Sequence, residues 1–311
     1  MIPEYFCDPS LAPLRKSGLT IRFYRINCRL EPDIHHLNII IRKQGAADVL
    51  LFVHYFGIPL GVKDTSRWCK EHGVLLVEDA AHSMVPVPGI GDNGWPVIYT
   101  PWKFFNLLEG AVVVLPRRLK DILKEPEIKK GYSPAFWRWL AKRIAHTTAG
   151  RMNLPLHKLR KADKESLKEN HTLTASEDCR CASSFVAILG KLEKQLESFR
   201  AVRERNYRCL DKAFSGNDFV AEPVFSSLPD KFGPYVYPLR IRNGRCWELM
   251  ASLNRRGVPA LPWGDLSPEV LNLPDFALSN ALWREVLTLP VHQHLTKSQM
   301  DRMAREVINL L

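Results

Sequence analysis

Over the first 120 residues, short apolar runs alternate with longer stretches that carry a helical apolar stripe. Val49-Leu50-Leu51-Phe52-Val53 is continuously apolar, the pattern of a parallel strand buried on both faces. It ends in His54-Tyr55-Phe56-Gly57-Ile58-Pro59, which reads as a turn. Residues 61–72 are polar with one apolar stripe, and Gly73 follows where a helix commonly closes in the left-handed conformation. Val74-Leu75-Leu76-Val77 repeats the strand pattern with Glu78-Asp79 at its carboxyl end, and Ala111-Val112-Val113-Val114-Leu115 repeats it again. Strand–helix–strand units of this length predict right-handed crossovers and a parallel sheet. Ligands of such sheets bind beyond the carboxyl ends of the strands, which places Asp79 at a predicted site.

The second half has a different rhythm. Residues 184–209 read as one long helix, with Phe185, Ile188, Leu189, Leu192, Leu196 and Phe199 at helical spacing. Tyr235-Val236-Tyr237-Pro238-Leu239-Arg240-Ile241 alternates like a strand. Residues 247–256 read as a helix ending at Gly257, and residues 298–311 as a terminal helix. The expected class is α/β, with a mainly parallel sheet followed by a smaller α+β C-terminal domain. Neither an internal repeat nor a low-complexity tract interrupts this pattern.

Composition narrows the picture. The chain of 311 residues is 46% hydrophobic and 25% charged, which excludes disordered, collagen-like and disulfide-scaffold classes. No run approaches the roughly 18 apolar residues of a spanning helix. Met-Ile-Pro-Glu-Tyr at the start lacks the basic and apolar regions of a secretory signal, so a cytoplasmic location is expected. The seven cysteines are scattered, with Cys179-Arg180-Cys181 as the sole close pair. They read as incidental thiols of a reducing compartment rather than zinc ligands.

The net charge of +11 is concentrated in one place. Residues 117–168 hold fifteen Lys/Arg against five Asp/Glu, a net +10, and leave the remaining chain at +1. Within this segment, residues 134–144 read as a basic helix with Phe136, Leu140 and Ile144 on one face and Trp137 beside them. Three readings stand: a solvated helix packed on its own protein, a surface attracting an anionic substrate such as a nucleotide diphosphate, and an interfacial helix on anionic lipid. Specific nucleic-acid binding is not expected, because no recognised module accompanies the charge.

Candidate chemistry centres on Glu78-Asp79-Ala80-Ala81-His82, followed by Thr100-Pro101-Trp102-Lys103. A carboxylate at a strand end and a lysine one short crossover later suit pyridoxal phosphate chemistry. The lysine amine condenses with the cofactor aldehyde and then moves protons. The carboxylate keeps the pyridine nitrogen protonated, so that the ring acts as an electron sink.

Further residues extend this pair. His54-Tyr55-Phe56-Gly57, Glu78-Asp79-Ala80-Ala81-His82, Gly91-Asp92, Lys103 and Glu109-Gly110-Ala111-Val112-Val113-Val114 together resemble the DegT/DnrJ/StrS family of sugar aminotransferases. Tyr237-Pro238 and Leu289-Pro290-Val291-His292-Gln293-His294-Leu295-Thr296 continue the resemblance. It spans about residues 1–120 and 175–311 and leaves the basic middle unexplained.

The resemblance implies a fold-type-I pyridoxal-phosphate-dependent transferase. Its large domain would be residues 1–120, incomplete at the start; residues 121–174 would be a basic helical insertion or linker, and residues 175–311 a long helix plus the small domain. By the resemblance, Lys103 is the catalytic lysine and Asp79 the partner of the pyridine nitrogen. His82 would reach the ring hydroxyl, and Thr100 would help to hold phosphate. The presence of Lys103 disfavours the family's dehydratases, which carry His there. The implied cofactor is pyridoxal 5'-phosphate, the implied substrates a nucleotide-linked keto sugar and an amino donor such as glutamate, and the implied assembly a homodimer.

Two departures bear on cofactor binding. Ile2-Pro3-Glu4-Tyr5-Phe6-Cys7 matches a segment that, in the family, follows a first helix and a glycine-containing phosphate loop. The sequence is therefore expected to lack that N-terminal segment. At Ser176-Glu177-Asp178-Cys179-Arg180 the family has Asn before Arg, whereas Asp178 would set negative charge near a dianion. The alternative to an aminotransferase is accordingly a catalytically impaired remnant of the fold that binds or regulates. If residues 134–144 contact anionic lipid, co-sedimentation with acidic liposomes falls on Trp137→Ala with Trp139→Ala and on adding salt; indifference to both excludes that contact.

Overall fold

The computed structural model describes residues 1–105, 107, 110–122, 128–129, 141, 181–216 and 220–311. They form two compact units: one made of residues 1–105, 111–120 and 194–311, the other of residues 106–110 and 121–193.

The first unit is built on two sheets. Strands β3 (Val49–Val53), β4 (Leu75–Asp79), β5 (Val97–Tyr99) and β6 (Val112–Val114) lie side by side in that order. β3, β4 and β5 are parallel. The strands β1 (Ile2–Pro3) and β2 (Phe23–Tyr24) pair in parallel, and the Leu51 N–H donates to the Met1 carbonyl, joining β1 to the edge of β3. Helices α1 (Ala12–Lys16), α2 (Ile34–Gln44) and α3 (Lys63–His72) fall between these strands. α2 starts at Asp33, whose carboxylate accepts from the His36 N–H, and α3 closes at Gly73 with φ +67°. The α/β class with a mainly parallel sheet is thus present.

Two features differ from the sequence pattern. β5 has only three residues between Pro96 and Thr100, too short for a periodicity to register. β6 runs antiparallel to β5, and its Val113 and Val114 are half exposed rather than buried on both faces. The sense of a strand depends on the connection before it, which the apolar run alone does not reveal.

The second sheet is antiparallel, in the order β9 (Leu261–Pro262), β10 (Val286–Pro290), β8 (Val236–Ile241), β7 (Ala221–Pro223). The register sets Tyr237 opposite Leu289 and Leu239 opposite Leu287, and all four are fully buried. The helix expected over residues 184–209 is two helices, α4 (Ser183–Leu192) in the second unit and α5 (Leu196–Phe214) in the first, with residues 193–195 between them in the chain. The apolar spacing of the sequence runs on from Leu192 to Leu196, so periodicity does not mark the break. Helices α6 (Cys246–Arg255), α7 (Ala277–Glu285) and α8 (Lys297–Ile308) complete the unit. Thr296 and Gln299 cap α8 reciprocally. Among the described residues no helix is long and apolar enough to cross a membrane.

Glu4 gives this unit a pH dependence. It is buried, and its Oε1 accepts from the Ile26 N–H at 2.9 Å. Burial pushes its carboxyl up to about 7. The folded state therefore holds this proton more tightly than the unfolded state does. Stability is full below about pH 4.5, falls as pH rises towards 7, and levels off above. In urea titrations, Glu4→Gln is expected to remove a loss of about 3 kcal/mol between those limits.

Candidate functional site

A strand alternates its side chains, so Glu78 and Asp79 at the end of β4 must face opposite ways. Glu78 turns into the core. Its Oε2 accepts from His54 Nε2 at 3.0 Å and from the Gly91 N–H at 2.8 Å, and neither His54 nor Glu78 has any exposed surface. The Leu60 N–H donates to His54 Nδ1, which assigns the ring proton to Nε2 and aims it at the carboxylate. Asp79 turns instead to the cleft beyond the strand ends, half buried, with its Oδ1 accepting from the Ala81 N–H at 2.8 Å.

Lys103 comes to Asp79 from the turn after β5. Thr100 precedes this turn, and the Lys103 N–H donates to its carbonyl at 3.1 Å; its hydroxyl makes no capping bond. Burial lowers the Lys103 amine below the usual lysine value, while Asp79 and the Cys7 thiol pull it back up. Burial raises the Asp79 carboxyl; the Ala81 N–H, Lys103 and His54 oppose that shift. Each group thus stabilises the charged form of the other in a partly dry cleft.

His82 lines the same cleft. Its ring stacks on Tyr235 at 5.2 Å and 10°, meets Trp263 edge-on at 5.1 Å, and lies 6.4 Å from Phe56. Burial, with Lys103 adding to it, holds the imidazole well below its usual value, so it is neutral. Its Nδ1 is buried without a hydrogen-bond partner among the described residues. The backbone here is tight: Gly57 has φ +85°, and a Cβ on it would come within 2.1 Å of the His82 carbonyl.

The structure therefore brings Asp79, His82 and Lys103 within electrostatic reach of one another, with Thr100 at the base of the turn that carries Lys103. It adds three residues that carried no motif. Tyr235 lies with its ring 5.9 Å from Lys103 Nζ. Trp263 closes the aromatic wall around His82. Cys7 reaches Lys103 because its backbone bridges to Leu266 and because Gly264 has no Cβ, which would sit 2.4 Å from Cys7 Sγ. These contacts join segments far apart in the chain, beyond any local pattern. Glu109 and residues 134–140, 142–144 and 176–180 lie outside the described residues, as does most of the basic stretch.

No family model matches the chain, and comparison with curated proteins gives no match either. Solved structures do match. Helicobacter pylori PseC, an aminotransferase involved in the biosynthesis of pseudoaminic acid, superposes with a TM-score of 0.68 at 18% identity, over 99% of this chain and 78% of that one. The fold is that of the DegT/DnrJ/EryC1/StrS aminotransferases. A member of that group from Brucella abortus gives a TM-score of 0.65 at 13% identity, over 99% of this chain and 78% of its own. The sugar aminotransferase CalS13 from Micromonospora echinospora gives 0.62 at 17%, over 99% and 79%. At these identities the likeness is one of fold.

The charge coupling has a measurable sign. Because Asp79 raises the Lys103 amine, Asp79→Asn lowers its titration midpoint further below that of an ordinary lysine. In the protein without added cofactor, acylation of Lys103 at neutral pH is expected to be faster in Asp79→Asn than in the wild type. Peptide mass spectrometry across pH reads this, and a slower reaction contradicts the coupling.

Proposed function

We propose that the chain is a pyridoxal-phosphate-dependent aminotransferase that transfers an amino group to a nucleotide-linked keto sugar. The observation that carries this reading is the half-buried Asp79–Lys103 pair in one cleft with a neutral His82 whose Nδ1 lacks a partner. These residues fit the ring end of the cofactor: a carboxylate for a protonated ring nitrogen, an amine for the aldehyde, and an unpaired imidazole nitrogen for the ring hydroxyl. When bound, pyridoxal phosphate supplies the electron sink that stabilises negative charge at the substrate carbon bearing nitrogen.

The chain's own residues would do the rest. Asp79, held by the Ala81 N–H, keeps the proton on the ring nitrogen. The Lys103 amine takes and returns the proton at the reacting carbon; burial shifts it towards its neutral form. His82 stays neutral in its aromatic wall and orients the ring without adding charge. The aromatic side chains of Phe56, Tyr235 and Trp263 exclude water from this end of the cleft.

The sugar substrate rests on the solved relatives, which are a pseudoaminic acid biosynthetic enzyme and a sugar aminotransferase by their own descriptions. The net +10 of residues 117–168 would attract the diphosphate of a nucleotide sugar. Glutamate as donor, a second copy of the chain completing the site, and a cytoplasmic setting belong to the same reading.

Adding pyridoxal phosphate to the protein is expected to give a visible absorption band that glutamate bleaches. Borohydride should fix the cofactor to the peptide containing Lys103. Lys103→Ala abolishes the fixed adduct, and Asp79→Asn weakens the glutamate response by at least an order of magnitude. No band, or a band that survives Lys103→Ala, overturns the assignment in favour of a non-catalytic member of the fold.

A further inference from the structure

Arg203 carries a buried charge that this chemistry leaves unused. It lies on α5 with 2% of its surface exposed, and among the described residues no carboxylate pairs with it. Arg200, one turn earlier, shows what an arginine on this helix otherwise does. It binds Glu197, Glu204 and the Phe232 carbonyl. Arg203 instead donates only to neutral acceptors: Gln293 Oε1 at 2.7 Å, the Pro234 carbonyl at 3.1 Å and the Tyr235 carbonyl at 3.0 Å.

A desolvated cation facing only amide oxygens does little for stability, and an apolar side chain of similar size would fill the space at less cost. What the guanidinium does is join two segments. Its plane sits 4.9 Å from the ring of Phe104, the residue after Lys103. Gln293, oriented by Arg203, donates from Nε2 to the Phe104 carbonyl at 3.2 Å. Phe104 packs edge-on against Tyr235 at 5.5 Å, and the Tyr235 N–H donates to the Phe56 carbonyl at 2.9 Å. The Tyr235 ring then meets both Lys103 Nζ and the His82 ring. One side chain therefore ties down the backbone that carries the amine and the ring against which the amine lies.

We propose that Arg203 is a positioning residue for Lys103, acting through Gln293 on the Phe104 backbone and directly on the Tyr235 carbonyl. The inference rests on reading Lys103 as the reactive amine. Its consequence is that the amine stays on the face of Tyr235, shielded from water, between Asp79, Cys7 and the neutral His82. Loosening either tether admits water and moves the amine towards ordinary lysine behaviour.

The test uses the full chain without added cofactor, with an acylating reagent as probe and exposed Lys63 as internal reference. Mass spectrometry follows labelling of Lys103 across the alkaline range. Arg203→Met and Gln293→Met should raise the Lys103 midpoint by half a pH unit or more, slowing its labelling at mildly alkaline pH about threefold. Arg203→Lys should recover part of the shift. Arg200→Met, which removes an arginine whose bonds do not reach Lys103, should cost stability and leave the midpoint in place. If Arg203→Met and Arg200→Met lower the melting temperature alike and neither Arg203→Met nor Gln293→Met moves the midpoint, the positioning role is overturned. Should Arg203→Met not fold, Gln293→Met decides alone, because it severs only the Phe104 tether. Labelling is read without the cofactor, so absence of a pyridoxal phosphate band would count against the proposed activity and leave this result standing.

Discussion

The site depends on one constraint of strand geometry: neighbouring residues point to opposite faces. Two adjacent carboxylates at the end of β4 cannot share a task, and here they do not. Glu78 is spent inside, where His54 and the Gly91 N–H hold it. That buried pair ties β4 to the loop after β3 and to the loop that leads into β5. Asp79 is thereby presented to the cleft at a fixed height and meets Lys103. Glu78 without His54 would be a buried, poorly paired carboxylate, and the strand end that aims Asp79 would lose its anchor.

Around that pair, the protein manages charge mostly through neutral surroundings. His82 is kept neutral by burial among Tyr235, Trp263 and Phe56, so it adds no second cation beside Lys103. Arg203 follows the same logic from behind. Its charge is absorbed by three neutral oxygens, and burial draws it down only to about 10, so it stays protonated. Its field also reaches His292, which burial first and Arg203 next hold down at about 4.

Much of this was legible in the residues. The continuous apolar runs located β3 and β4, Gly73 and Gly257 marked helix ends, and Asp79 stands at the end of β4 as the pattern expects. Other features were invisible for stated reasons. β5 is too short to have a period, and the antiparallel sense of β6 depends on a connection rather than on composition. The apolar spacing of the sequence runs through Glu193–Gln195 without a break.

The sequence by itself determined the alternation of strand and helix, the carboxylate at a strand end and the lysine beyond it, because these follow from local periodicity and spacing. Only the tertiary structure decided which side chains surround that lysine. Cys7, Tyr235, Trp263 and, through Gln293, Arg203 come from segments far apart in the chain. No local rule links an arginine on one helix to a tyrosine thirty-two residues on and a glutamine ninety residues on. Those contacts exist because sheet register and core packing place the segments together, and a buried polar group must then find its partners among whatever the fold has brought near.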